Sequence, residues 1–363
     1  MIGVYAGSFD PFTNGHLEIV QQAAKIFDHV VVLVATNPGK QHWLSQAERQ
    51  KVIRATLGDM AEVAALEGND TSAEYAFKRG ACLIRGLGDF TDYSAEKTLA
   101  GINSRFQPDV ETVFFMTRGQ ENQMRSSSVR EASKYRFGWR SIRDTVPQAT
   151  FNAVVLKLLA AREPVLGNIL DKADLSRYSK RPYHNFEHLV YMMEMADMWG
   201  SGMPAEAKPN LWAAIVYHDI FVDSDLDVAD GEDVARSVEW LREVELPGCD
   251  RERVAELVAA TDHRLFTFSP DRVLMTAEQA LMCRLDMAVL GESLYEYARY
   301  AKAVREEYAA KYGYLSEAFR SGRLAFLKTM QGLLAAGDLI NPAYDVQMAL
   351  NLEWELQELN SGR

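Results

Sequence analysis

A change of rhythm at Pro147 limits what this chain can fold into more than any other feature of its sequence. Before it, short runs rich in β-branched residues occur at Ile2–Ala6, Val30–Ala35, Ala61–Leu66, Ala81–Ile84 and Thr112–Met116. Helical patterns lie between and after them, near 16–27, 45–57, 72–79, 92–106 and 128–136. Short apolar runs bounded by turn signals and separated by helices imply parallel β-α-β units with both sheet faces covered. Ser45-x-x-Glu48 and Ser128-x-x-Glu131 each fit a capping box at a helix start. The expectation is an α/β fold with a doubly wound parallel sheet, whose ligands gather at the carboxyl ends of the strands.

Beyond Pro147 the β signature disappears. Residues 150–161 read as a closing helix, and 162–167 as a boundary, because Pro164 disfavours helix at the residue before it. Helical spacing then recurs through 186–199, 210–219, 231–244, 250–262, 276–290, 292–312 and 315–333. Two domains are expected, 1–161 and an all-α helical domain over 162–363. Charge changes at the same place. Residues 1–161 carry 18 Lys and Arg against 17 Asp and Glu, whereas 162–363 carry 21 against 34. The second half should repel nucleic acid polymers, so none is expected as a partner. Apolar residues at 48% and charged residues at 25% are ordinary globular proportions, which excludes wholesale disorder. Three scattered cysteines give neither a CxxC metal site nor a disulfide framework, which favours a reducing compartment. With no basic residue before Lys25 and no apolar run of about 18 residues, the expectation is a cytoplasmic protein without signal peptide or membrane span.

In the first half, Gly7-Ser8-Phe9-Asp10-Pro11 follows the first strand directly, and Thr13-Asn14-Gly15-His16 opens the first helix. Ser126-Ser127-Ser128-Val129-Arg130 opens a later one. Small-residue turns leading into helix N-termini present unpaired N–H groups and a positive dipole end, which suits phosphate. A histidine in the first turn, with hydroxyls and an arginine at a second helix start, could surround a polyphosphate. These residues resemble the nucleotidyltransferases with an HxGH-type motif, and among them the phosphopantetheine adenylyltransferases, continuously from residue 1 to about 160. Asn37-Pro38-Gly39-Lys40, Leu83-Ile84-Arg85-Gly86-Leu87, Asp92-Tyr93-x-x-Glu96 and Asn103 also fall where that family has counterparts.

The resemblance implies a Rossmann-like domain that passes AMP from ATP, carried with Mg²⁺, to a phosphorylated acceptor, by positioning and electrostatic stabilisation without a covalent intermediate. It implies that His16 contacts the α-phosphate and that Lys40 and Arg85 hold the acceptor's phosphate. Ser8 would lie between acceptor and ATP, and Thr71 and Asn103 would face the acceptor. Phe9, Gly86, Glu96, Ser126, Ser127 and Arg130 would contact ATP. Four positions depart from the family pattern. Gly88 stands where a second arginine is usual, Asp70 and Thr71 replace an apolar pair, and Arg125 replaces the first serine of the late motif. Asp70, Thr71 and Gly88 keep a second acceptor, nicotinamide mononucleotide, open.

In the second half, His188 lies in Tyr183-His184-Asn185-x-x-His188, His218-Asp219 closes an apolar helical pattern, and Asp286 sits in another. Imidazoles and carboxylates projecting into a helical bundle suit a divalent ion. The pattern resembles the HD superfamily of metal-dependent phosphohydrolases over roughly 165–330. By that resemblance His188, His218, Asp219 and Asp286 hold a metal, whether Mn²⁺, Mg²⁺, Fe²⁺ or Co²⁺. His184 and His263 would lie beside it or on the substrate phosphate, with Glu232 near. The implied substrate is a small phosphate ester or nucleotide, and a homo-oligomer is expected. A nucleotide-binding regulator with a silent site is the reading from another class.

Overall fold

The computed structural model describes residues 1–36, 39, 41–68, 70–88, 90–118, 124–262, 275–335 and 342–361. The chain divides into two compact units, Met1–Val155 and Leu156–Arg363.

The first unit is built on five strands: β1 (Ile2–Gly7), β2 (His29–Val34), β3 (Glu62–Ala65), β4 (Ala81–Leu87) and β5 (Thr112–Met116). They lie in the order β3-β2-β1-β4-β5, and every pair is parallel. The apolar runs are explained by burial on both faces. Tyr5, Val32, Val34 and Ile84 pack on one side with Val20 and Ile53, while Val4, Val31, Leu33 and Leu83 pack on the other with Ala73 and Ala76. The first set meets helices α1 (Asn14–Ala23) and α2 (Gln46–Leu57), and the second meets α3 (Ser72–Lys78). Helices on both faces make the sheet doubly wound, as expected, with its switch point between β1 and β4. The remaining helices are α4 (Phe90–Phe106), α5 (Ser126–Ala132), α6 (Trp139–Ile142) and α7 (Gln148–Arg162).

One of the two capping boxes forms. Ser45 Oγ accepts from the Glu48 N–H at 3.2 Å, and Glu48 Oε2 accepts from the Ser45 N–H at 2.6 Å. The second does not, because α5 starts two residues early, at Ser126, which puts Ser128 inside the helix instead of ahead of it. Ser45→Ala is therefore expected to cost about 1 kcal/mol, read as a lowered urea midpoint. An unchanged midpoint would mean that the box does not hold α2.

The second unit is helical: α8 (Pro164–Lys172), α9 (Phe186–Trp199), α10 (Lys208–Tyr217), α11 (Asp233–Trp240), α12 (Arg251–Ala259), α13 (Ala277–Met287), α14 (Leu294–Tyr312), α15 (Glu317–Ala335) and α16 (Pro342–Ser361). Pro164, which suggested a boundary, opens α8, since its missing N–H is unneeded in a first turn. Helix α16 was not foreseen, yet it supplies Met348, Leu352 and Leu359 to a core shared with Tyr297, Ala301, Leu327 and Met330. Inside that core Arg323 forks onto Glu355, with Nε and Nη2 each 2.9 Å from a carboxylate oxygen. The three cysteines are free, and no helix among the described residues is long and apolar enough to cross a membrane.

Candidate functional site

At the switch point, the loop after β1 is shaped by Phe9, which has φ +48° and a fully enclosed ring. The ring packs against Tyr5 at 5.1 Å, Phe12 at 5.7 Å and His16 at 5.1 Å. It also lies over Gly7, where a Cβ would come within 2.9 Å of it. Glycine at position 7 is thus a condition for this loop.

The half-buried His16 sits in the first turn of α1, and its Nδ1 accepts the backbone N–H of Thr13 at 2.9 Å. A backbone N–H can only donate, so the proton of the neutral ring belongs on Nε2. Burial lowers the imidazole to about 4. At neutral pH His16 is therefore a neutral ring with Nε2–H available as a donor.

Two residues to which the sequence reading gave no role hold this loop. Asp10 accepts the N–H groups of Trp43 at 2.8 Å and Leu44 at 2.9 Å. Arg49, fully buried in α2, donates to the carbonyls of Ser8, Ala35 (2.9 Å) and Leu44 (3.1 Å). One guanidinium thereby ties the loop after β1 to the segment after β2. The only sequence signal was a charged residue in the apolar register of α2.

The late motif reaches the same loop: Ser126 Oγ donates to the Pro11 carbonyl at 2.8 Å, and Arg130 donates to the Asp10 carbonyl. Ser127 is exposed one residue along. Arg85, at the carboxyl end of β4, pairs with Glu96 through Nε at 2.5 Å and Nη2 at 2.9 Å, and donates to the Ala6 carbonyl at 3.0 Å. Gly86 follows it on the strand, and a Cβ there would stand 3.0 Å from Ile19 and 3.2 Å from the Tyr5 hydroxyl. Ser8, His16, Arg85, Gly86, Glu96, Ser126 and Arg130 thus belong to one neighbourhood. Thr71 is occupied otherwise: its hydroxyl caps α3 by accepting from Glu74 N–H at 3.1 Å, and Asp70 pairs with Lys78 at 2.6 Å. Asn103 is half-buried on α4. Lys40 lies outside the described residues.

A second cluster forms within the helical unit. His188, in the first turn of α9, and His218, just past α10, bring their Nε2 atoms to 3.2 Å. Asp219 Oδ2 is 2.8 Å from His218 Nε2 and 3.5 Å from His188 Nε2, and Asp286 Oδ1 is 3.7 Å and 3.5 Å from them. One ligating atom from each residue lies within 4.8 Å of all the others. His188 and Asp286 lie in helices, α9 and α13, as expected, but the helical pattern read over 210–219 ends at Tyr217, and the His-Asp pair forms the C-terminal turn of α10. Arg181 fixes that turn by donating to the Asp219 carbonyl at 2.5 Å and the Ile220 carbonyl at 2.9 Å.

The donor chemistry fits a cation. His218 Nδ1 is engaged with the Ile215 carbonyl at 2.9 Å and His188 Nδ1 with the Tyr183 hydroxyl at 3.2 Å, which leaves both Nε2 atoms for the centre. Asp219 Oδ2 is buried and faces the Nε2 atoms of His218 and His188. Burial alone would pull the His218 ring down, but the Asp219 and Asp286 carboxylates push it up to about 10. The cluster thus requires positive charge, carried by protons or by a metal ion.

Beside it, His184 Nδ1 meets Glu307 Oε1 at 2.5 Å, while its Nε2 faces Asp219 Oδ2 at 3.8 Å. Glu307, buried on α14, also accepts from the Tyr183 and His184 N–H groups and from Ser224 Oγ. Sequence reasoning missed Glu307. Glu232 is exposed at the start of α11, and no bond among the described residues ties it to the cluster. His263 lies outside the described residues.

Residues 4–132 match the cytidylyltransferase-like family. A phosphopantetheine adenylyltransferase of Desulforudis audaxviator is 42% identical over 135 residues, covering 37% of this chain and 83% of the relative. One from Alkaliphilus oremlandii is 38% identical over 154 residues, covering 42% and 96%. One from Rubrobacter xylanophilus is 40% identical over 131 residues, covering 36% and 80%. A solved structure of NadR protein in complex with NAD and AMP-PNP covers 83% of this chain and 78% of its own, at a TM-score of 0.32 and 13% identity, which carries no argument.

Proposed function

Through its N-terminal part this chain belongs to the phosphopantetheine adenylyltransferase family, and we propose that this part transfers AMP from ATP to 4′-phosphopantetheine. The products are dephospho-coenzyme A and pyrophosphate. The observation that carries the reading is the fixed tautomer of His16 at the strand switch point. Its Nε2–H donates to an α-phosphate oxygen as charge builds there during in-line attack by the acceptor's phosphate. Arg85, held in orientation by Glu96, and Lys40 grip the acceptor's phosphate through charge-assisted bonds. Glu96 serves Arg85, beside the ATP contact implied by family likeness. Mg²⁺ enters with ATP and neutralises its phosphate charge.

Of the three positions that opened a second acceptor, Asp70 and Thr71 are engaged in an ion pair and a helix cap, and Gly88 keeps nicotinamide mononucleotide as the alternative. Pyrophosphate release tests the point: phosphopantetheine should react, and pantetheine without its phosphate should not. Equal rates with both, or turnover with nicotinamide mononucleotide alone, would overturn the assignment.

For the helical unit we infer a metal-dependent phosphohydrolase of the HD type, with His188, His218, Asp219 and Asp286 as ligands. The gathering of two imidazole Nε2 atoms and two carboxylate oxygens within 4.8 Å of one another supports it most directly. A divalent ion held there would lower the pKa of bound water for attack on phosphorus. His184, oriented by Glu307, stands where it can bond a substrate phosphate oxygen. Phosphate release and metal content, measured on the same preparation, test the reading.

A further inference from the structure

A cavity of about 480 Å³ lies against the four-ligand cluster, within the size range of small-molecule sites. His184 and Asp286 form part of its wall, so the space opens onto the cluster. Elsewhere the wall is largely aromatic, with Tyr183, Tyr300, Tyr308, Tyr312, Phe319 and Phe326. These rings offer apolar area and faces on which a planar group can pack.

Away from His184 and the cluster, the charged groups of the wall among the described residues are set against anions. Arg323 borders the cavity, but its fork closes on Glu355 and its Nη1 on the Tyr300 hydroxyl at 3.0 Å, so its charge is answered inside the fold. Asp223 and Asp230 place carboxylates on the same wall, and Lys311 pairs with Asp230 at 2.7 Å. One phosphate would be received at the cluster. A second, reaching into the cavity, would meet ring faces and carboxylates.

We propose that this cavity seats the body of a phosphate monoester whose alcohol part is aromatic, and that it selects against polyphosphates. The inference rests on the phosphohydrolase reading above. Its entrance supplies the means of testing it. Ala318 and Gly322, one turn apart on α15, border the cavity and are exposed, and a Cβ on Gly322 would meet no atom within 4 Å. A large side chain there narrows the mouth without touching a metal ligand.

Full-length protein loaded with Mn²⁺ is titrated calorimetrically with phenylphosphonate and with methylphosphonate, which differ only in the body. Burial of the ring predicts about 10- to 100-fold tighter binding of phenylphosphonate. Gly322→Trp should bring that ratio close to one while keeping metal content and methylphosphonate affinity. Ala318→Leu serves if the tryptophan variant does not fold. Phosphate release should also be faster from phenyl phosphate than from pyrophosphate. With metal retained, equal affinity for the two phosphonates, or a ratio untouched by both variants, overturns the inference and leaves the hydrolase reading standing. Failure of the wild-type chain to take up metal, read by mass spectrometry, overturns the hydrolase reading and the inference together.

Discussion

Replacing His16 with alanine is expected to lower kcat for adenylyl transfer by about 10²–10³ while changing ATP affinity little, because only contacts that strengthen in the transition state accelerate the step. An unchanged kcat with a raised KM would remove His16 from the chemistry. The same ring leaves a mark on stability. Burial holds it near 4, below its ordinary 6.5, so the unfolded chain takes up this proton first on acidification. The contribution of His16 to stability is thus complete above pH 6.5 and lost as pH falls toward 4. Thermal melts of wild type and His16→Ala should converge across that window. Parallel curves would show that the folded ring titrates normally.

In the helical unit, Asp219→Ala is expected to abolish both metal retention and phosphate release. Removing this carboxylate takes away the oxygen nearest to His218 Nε2, which also lies 3.5 Å from His188 Nε2. His184→Ala, by contrast, should keep the metal and lose about 10- to 100-fold in turnover, the usual scale for a group outside the ligand set. Metal addition should raise the wild-type thermal midpoint and leave that of Asp219→Ala unmoved. Full metal retention by Asp219→Ala would overturn the ligand assignment, and loss of metal from His184→Ala would move His184 among the ligands.

The central strands were legible because both sheet faces are covered there, which writes them as apolar runs, as in Val30–Val34. The gathering of His188, His218, Asp219 and Asp286 was legible because three of the four stand in short, recognisable motifs. Partners that complete the sites were not. Glu307 lies 123 residues from His184, and nothing local marks a carboxylate on α14 as buried. Arg49 reads as a surface residue until the fold closes three carbonyls around it. Errors at helix ends had similarly local causes. The serines around Ser128 fit a cap in more than one register, and Pro164 suits a helix's first residue as well as a break.

Thr13 and His16 close the first turn of α1 with the same bond that assigns the imidazole its proton. Helix fraying and tautomer choice are therefore one equilibrium: a molecule whose first turn has opened has also released the constraint that keeps hydrogen on Nε2. If His16 donates to phosphate as proposed, readiness for that bond would be a population instead of a fixed property. The bonds that set it include the Asn14 N–H to Thr145 and the Asn14 amide to Asp144, each 3.0 Å. Loosening that anchor would scale the observed rate by the fraction of closed turns, with every ligand contact intact.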